Sequence, residues 1–347
     1  MEASTQTALV LAAQAGDQIA FATLVEPYQR ELLIHCYRML GSLHDAEDLV
    51  QEALLRAWEK RATLTSPRSY RAWLYRIATN LCLNMLTRAP RRSLPPEMYP
   101  KSDPGSPLPE SAREPIWLEP FPDDLLTDPH TGPEDRALRR EHITLAFLMA
   151  LQHLTPTQRA ILLLREVLEW PAAEVAEWLN LSVPAVNSAL QRARRALQER
   201  NVLPETPITP PPPQLQSLLD RYVACWEQAD IPGLVALLRE DAWFTMPPLP
   251  IWLQGRVAIA TELSARICIP GRHWHLLPTR ANGRPAFGLY RQEAQANSYQ
   301  FIGLVVLDVV EGQIASMVSF LEQSCFSSFG LPPTLPYERE HTRHFLS

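Results

Sequence analysis

Between Asp45 and Glu59 the apolar positions are Ala46, Leu49, Val50, Ala53, Leu54, Ala57 and Trp58. This i, i+3, i+4, i+7 recurrence predicts an amphipathic helix, with Ser42 and Asp45 as a capping box at its start. Its polar face carries Glu47, Asp48, Gln51, Glu52 and Arg56. A second helix-like run extends from Tyr70 to Arg88, and Gln158–Leu168 is a third, apolar-striped segment. Pro171 then stands where a new helix would begin, and Val175, Ala176 and Leu179 give that helix a buried face. Asn180-Leu181-Ser182 supplies a short turn, and Ser182 caps a further helix with Pro184 in its first turn. There Val186, Leu190, Ala193 and Leu197 face inward, while Asn187, Ser188, Gln191, Arg192, Arg194 and Arg195 face outward.

Beyond Leu215 the pattern changes. Leu215, Leu218, Leu219, Tyr222, Val223 and Trp226 mark one amphipathic helix, and Leu234, Leu237 and Leu238 a second. Strand-like runs follow at His273–Arg280, Phe287–Arg291, Tyr299–Asp308 and Gln313–Glu322, with Gly283 and Gly312 at turns. Helices followed by strands predict an α+β domain with an antiparallel sheet.

Two proline-rich breaks divide the chain. Residues 93–135 hold eleven prolines and ten acidic residues, and Pro204–Pro213 holds six prolines in ten positions. The expected layout is a helical domain at 8–92, an acidic linker at 93–136, a second helical unit at 137–203, a short linker at 204–213 and the α+β domain at 214–347. Within the long linker, Trp117 and Phe121 in WLEPFPDDLL point to a segment that docks on something.

Charge adds to this picture. Residues 61–96 contain seven arginines and no acid, in a chain of net charge −6. In that window Tyr70, Arg71, Trp73, Tyr75, Arg76, Asn80, Asn84 and Arg88 mix cations, rings and amides, a surface able to neutralise phosphates and to stack on or hydrogen-bond to bases. A solvated arginine face is the plainer reading of the same run. The acidic helix at 45–59 has two readings as well: a partner for the basic helix, or a docking face for another protein.

No stretch of eighteen apolar residues predicts a membrane span, and MEASTQTALVLAAQAGDQ lacks the basic start of a signal peptide. The five cysteines (Cys36, Cys82, Cys225, Cys268, Cys325) are scattered and form no C-x-x-C, which points to a reducing, cytoplasmic compartment without disulfides or a zinc site.

The segments DAEDLVQEALLRAW and RSYRAWLYRIATNLCLN, adjacent and in this order, resemble region 2 of the extracytoplasmic-function (group IV) sigma factors of RNA polymerase, over roughly residues 15–90. LTPTQRAILLLREVLEWPAAEVAEWLNLSVPAVNSALQRARRAL resembles sigma region 4. The resemblance implies docking of Asp45, Asp48, Gln51, Glu52 and Arg56 on core RNA polymerase, with the β′ clamp helices and the β flap as contact points. It also implies contact of Arg68, Arg71, Trp73, Tyr75, Arg76, Asn80, Asn84 and Arg88 with the −10 promoter element, the Thr63–Ser69 loop cupping a flipped base. Pro184, Asn187, Ser188, Gln191, Arg192, Arg194 and Arg195 would then contact the −35 element. N-terminal residues of a recognition helix read base edges and later arginines hold phosphates, so Asn187, Ser188 and Gln191 are expected at bases. The chain departs from the usual glycine and basic residues early in this helix, where it has Ala185, Asn187 and Ala189.

Residues 214–347 resemble a SnoaL-like domain of the cone-shaped NTF2-like fold through LLDRYVACWEQADIPGLVALLREDAWFTMPP, ANGRPAFGLY and FSSFGLP. The expected architecture is thus two all-α domains followed by an α+β cone, the cone modulating activity in cis, with a small molecule or a segment of the chain itself as its ligand. Asp241, His273, His275, Asp308 and Glu322 are the cone's polar candidates, but no acid/base dyad or metal set emerges from their spacing. Neither enzyme activity, cofactor nor metal is expected. Two rival functions are a free-standing helix-turn-helix regulator with a ligand-sensing C-terminal domain, which leaves Asp45–Arg92 unexplained, and a cyclase-like enzyme carrying a DNA-binding appendage.

Overall fold

The computed structural model of the chain describes residues 3–63, 70–88, 90–110, 117–126, 143–199, 213–266, 269–292, 296–321 and 327–336. They fall into two compact units, one of residues 1–92 with 125–206, the other of residues 93–124 with 207–347.

The first unit is helical. Helix α1 is Ala3–Gln14 and α2 is Gln18–Leu40. Asp17 caps α2, its Oδ1 accepting the N–H groups of Ile19 and Ala20, and Gly41 ends it at φ 74. Ser42 Oγ then accepts the Asp45 N–H at 3.1 Å to start α3, Leu43–Glu59. The Asp45 carboxylate is bound through Oδ2 by Arg92 Nη2 at 2.6 Å. Helix α4, Tyr70–Leu86, lays Leu74, Ala78, Leu81 and Cys82 into a core with Leu32, Cys36 and Met39 of α2 and Ala46 and Ala53 of α3. A four-residue helix, α5, follows at Pro95–Met98 and belongs to the second unit.

Four helices complete the first unit: α6 (Leu145–Gln152), α7 (Pro156–Leu162), α8 (Ala172–Leu179) and α9 (Val183–Gln198). Thr155 and Gln158 form a reciprocal capping box on α7, which runs into a π-helical turn at Leu163–Val167. Asn180 ends α8 in the left-handed region at φ 53, which lets the chain reverse within two residues before Ser182 caps α9.

The second unit carries α10 (Pro213–Glu227), α11 (Ile231–Ala236), β1 (Leu238–Thr245), β2 (Trp252–Gln254), α12 (Arg256–Arg266), β3 (His273–Ala281), β4 (Arg284–Gln292), β5 (Ser298–Val310), β6 (Gln313–Phe320) and β7 (Thr334–Pro336). The sheet order is β2-β1-β6-β5-β4-β3, with β7 also on β5. The expected purely antiparallel sheet is corrected at one point: β1 pairs parallel with β6, from Leu238↔Ile314 to Thr245↔Val318. Leu238 therefore opens a strand and is not the end of α11. Arg239-Glu240-Asp241 breaks the alternation that would have announced β1, and β2 and α12 carried no legible signal either. One sheet face, with Phe244, Leu276, Phe287, Leu289, Val305, Leu307 and Met317, packs under Tyr222, Trp226, Leu234, Ile259 and Leu263. Against the strands that hold Tyr290 and Phe301 lies the 327–336 segment, where Tyr290 Oη donates to the Pro332 carbonyl at 2.7 Å. Gly288 makes room for it: a Cβ there would come within 2.8 Å of Leu331 Cδ1.

Candidate nucleic-acid interface

On α4, Arg76, Asn80, Asn84 and Arg88 are all exposed. Four-residue spacing brings the first three onto one side of the helix, with Arg88 in the turn that follows. Arg71 is held rather than free. Its guanidinium lies 2.8 Å from Glu31 Oε2, 5.2 Å from the centroid of the Tyr75 ring and 5.3 Å from that of Trp170. Tyr75 departs from the stacking role expected of it, since it is 1% exposed and its Oη donates to Glu31 Oε2 at 3.2 Å. It sits next to Leu74 on the stripe that packs against α2, and burial, then Glu31, push its phenol pKa up. Tyr70 is buried for the same reason, whereas Trp73 keeps part of its ring at the surface, tilted against Tyr70 at 5.8 Å. Arg68 and residues 64–69 of the preceding loop lie outside the described residues. Beneath the helix His35 is sealed in, its Nε2 2.9 Å from Thr79 Oγ1, and burial pulls its pKa down to about 3.

The polar face of α3 is open. Asp48, Gln51 and Glu52 are exposed, with Arg56 half-exposed and paired to Glu52 at 2.7 Å. Asp45 is the exception, being engaged by Arg92. Leu55 was not anticipated: it is 61% exposed in the middle of this acidic face. Its only sequence signal is an apolar residue standing off the helical stripe.

On α9, Pro184, Asn187, Ser188, Gln191 and Arg192 are exposed around the capped N-terminal half. Ser182 Oγ accepts the Ala185 N–H at 3.3 Å and holds the first turn. Of the three arginines, Arg194 is bound by Glu166 at 2.5 Å and Arg195 by Glu199 at 2.9 Å, while Arg192 forms no ion pair among the described residues. The corner between α7 and α8 meets α4: Trp170 lies 6.0 Å from Tyr75 (ring centroids) and Glu177 3.7 Å from Arg76.

In the second unit, the described part of the acidic linker is packed on the cone domain. The Trp252 indole N–H donates to the Tyr99 carbonyl at 2.8 Å, and the Gly105 N–H donates to the buried Glu262 carboxylate at 2.7 Å. Phe121 is fully buried and exchanges two hydrogen bonds with Asn282: its N–H to Asn282 Oδ1 at 3.0 Å, and the Asn282 N–H to its carbonyl at 2.9 Å. Asp123 accepts the Gly283 N–H at 2.7 Å and pairs with Arg280 at 3.1 Å. Asn282 and Gly283 form the tight β3–β4 turn at φ 54 and 72, so ANGRPAF builds a backbone clasp for the linker.

Three family models match the chain: Sigma-70 region 2 at residues 24–92, Sigma-70 region 4 at residues 144–197, and a SnoaL-like domain at residues 219–317. The ECF RNA polymerase sigma factor SigG of Mycobacterium tuberculosis is 46% identical over 320 residues, spanning 91% of this chain and 85% of that one. The chain belongs to the ECF RNA polymerase sigma factors. SigW of Bacillus subtilis is 30% identical over 185 residues, 53% of this chain and 90% of that protein. The crystal structure of M. tuberculosis SigJ shares the fold with a TM-score of 0.54 at 22% identity, covering 89% of this chain and all of that one.

As a sigma factor, the protein binds core RNA polymerase and promoter DNA and directs transcription initiation. The cone's polar candidates are dispersed among ion pairs of their own. Asp241 is at the surface with Arg239 at 3.0 Å, a hydrogen bond that holds its carboxyl below the usual range. Asp308 pairs with Arg284 at 3.0 Å and His275 with Glu227 at 2.7 Å, and His273 is exposed at the start of β3. Glu322 lies outside the described residues. Among the described residues no helix is long and apolar enough to cross a membrane.

Proposed function

We propose that the α3 face made by Asp48, Gln51, Glu52, Arg56 and Leu55 docks on the β′ clamp helices, with the β flap engaging region 4. The α4 row of Arg76, Asn80, Asn84 and Arg88 reads and holds the opened −10 strand. Helix α9 reads the −35 element through Asn187, Ser188 and Gln191, with Arg192 on phosphate. Trp73 is the ring available for base stacking, a contact worth about 1–3 kcal/mol that offsets part of the cost of flipping.

The SnoaL-like domain restrains this activity in cis. The observation that carries this reading is the clasp: Asn282, Gly283 and Glu262 satisfy backbone and carboxylate groups of the very linker that joins regions 2 and 4. A linker so bound is not free to take another path between regions 2 and 4.

The test is core-dependent transcription in vitro from the protein's own upstream DNA, together with affinity for core enzyme. Asp48→Arg and Leu55→Asp should each weaken core binding tenfold or more, and Asn80→Ala should reduce open-complex yield without changing core affinity. Wild-type core affinity in both α3 variants would defeat the docking assignment.

A further inference from the structure

We infer that Glu31 of α2 is a positioning residue for the −10 helix: one of its carboxylate oxygens sets the register of α4 and takes Arg71 out of the phosphate-binding set. The inference rests on the reading of α4 as the −10 helix. Apolar packing alone specifies the orientation of α4 weakly, because its apolar residues lie on several sides. Leu74, Ala78, Leu81 and Cys82 are buried, and Trp73, Ile77, Leu83, Met85 and Leu86 are half-buried around them. A helix with so broad an apolar surface can turn or slide and still exclude water.

Polar partners do not tolerate that freedom. Glu31 Oε2 accepts from Arg71 Nε at 2.9 Å, Arg71 Nη2 at 2.8 Å and Tyr75 Oη at 3.2 Å. Arg71 and Tyr75 are four residues apart, so a single acceptor meets two successive turns of α4. The Arg71 guanidinium also lies 5.2 Å from the Tyr75 ring centroid, which closes the group. One turn further along α2, His35 Nε2 is 2.9 Å from Thr79 Oγ1, and the His35 ring meets the Tyr75 ring edge-on at 5.2 Å. Glu31 and His35 of α2 thus face Arg71, Tyr75 and Thr79 of α4, both sets at four-residue spacing. Sliding α4 by one turn, or rotating it, strips buried hydroxyls and the carboxylate of these partners. Fixing a register is the best-attested use of such buried polar contacts. Arg76, Asn80 and Asn84 ride on the exposed side of the same helix, so their place against the opened strand is set from beneath by Glu31. Arg71 carries a second consequence. Glu31 already matches its charge, so it releases no counterion when DNA binds and adds nothing to the salt dependence. Arg76 keeps the phosphate role, its 3.7 Å contact with Glu177 being weak between exposed side chains.

The experiment uses the full chain in holoenzyme on the protein's own upstream DNA. Duplex binding and the rate of promoter opening are measured separately, the second by fluorescence of 2-aminopurine placed in the −10 element. Glu31→Ala should slow opening about tenfold, with duplex affinity and core affinity within about twofold of wild type. Glu31→Gln, which keeps an acceptor oxygen in place, should recover part of the rate. Arg71→Met should also slow opening, and combined with Glu31→Ala it should be no slower than Glu31→Ala alone, because both act through one contact. For holoenzyme binding to a single-stranded −10 oligonucleotide, Arg71→Met should leave the salt slope unchanged, whereas Arg76→Gln should reduce it by about 0.7. Urea midpoints confirm that each variant is folded. Opening at the wild-type rate in Glu31→Ala, or losses that add in the double variant, overturns the positioning role. A reduced salt slope in Arg71→Met returns that arginine to the phosphates and overturns its withdrawal. Asn80→Ala judges the reading of α4 itself: normal opening in that variant defeats the reading whatever the Glu31 variants do.

Discussion

Asp123, in the middle of an acidic linker, is buried and accepts the backbone N–H of Gly283 at 2.7 Å while pairing with Arg280. Removing the carboxylate leaves a buried turn N–H without its partner, a loss of about 1–3 kcal/mol. Asp123→Ala should therefore loosen residues 117–124 from the cone, seen as faster amide exchange at Leu118 and Phe121. Core-dependent transcript should rise several-fold. A looser linker with unchanged output would detach the clasp from regulation.

Asp45 was expected at the polymerase face, yet it is tied to Arg92, with side chains only 25% and 11% exposed. Asp45→Ala should cost about 1–3 kcal/mol of stability, the range for a hydrogen bond to a charged group. Denaturant midpoints should show that loss, with core affinity changed far less than in Asp48→Arg or Leu55→Asp.

His35 ties stability to pH. Its ordinary pKa of 6.5 falls to about 3 in the folded state, so below pH 6.5 the unfolded chain binds a proton that the native chain refuses. Its contribution is fully present above pH 6.5 and is lost as pH falls towards 3, at up to about 1.4 kcal/mol per pH unit. His35→Gln, with Thr79 as hydrogen-bond partner, should flatten the dependence of the urea midpoint between pH 6.5 and pH 4. An unchanged slope would assign that pH dependence to other groups.

The arginines of α9 are not equivalent. Asn187→Ala or Gln191→Ala should change the preferred −35 bases, at about 1–3 kcal/mol per lost base contact. Arg192→Ala should weaken binding evenly across sequences and reduce its salt dependence. Arg194→Ala should do less, because Glu166 already neutralises that side chain. Holoenzyme binding to a −35 library at two salt concentrations separates the three outcomes.

Local patterns along the chain were enough for much of this. The stripe from Ala46 to Trp58, the Asn180–Ser182 turn and the Ser182 cap are decided by neighbours within four residues, and each forms as its spacing indicates. The exposed row Arg76, Asn80, Asn84 follows from the same periodicity. Strand β3 was legible from its partial alternation, and β4 and β5 from apolar runs bounded by turn signals, since both of their faces are largely buried.

Tertiary structure decided the rest. Tyr70 and Tyr75 share composition and helix with Trp73, but only the packing of α4 on α2 determines which rings are buried. Asp45 and Asp48 look alike in sequence, and it is Arg92, 47 residues away, that ties up one while the other stays exposed. The linker's acids and prolines describe a chain with no core of its own, whereas Phe121 and Asp123 find theirs on a turn some 160 residues further on. Helix and turn formation depends on contacts that are near in sequence and so repeat visibly. Burial of a ring, neutralisation of a carboxylate and capture of a linker depend on partners that only folding brings together.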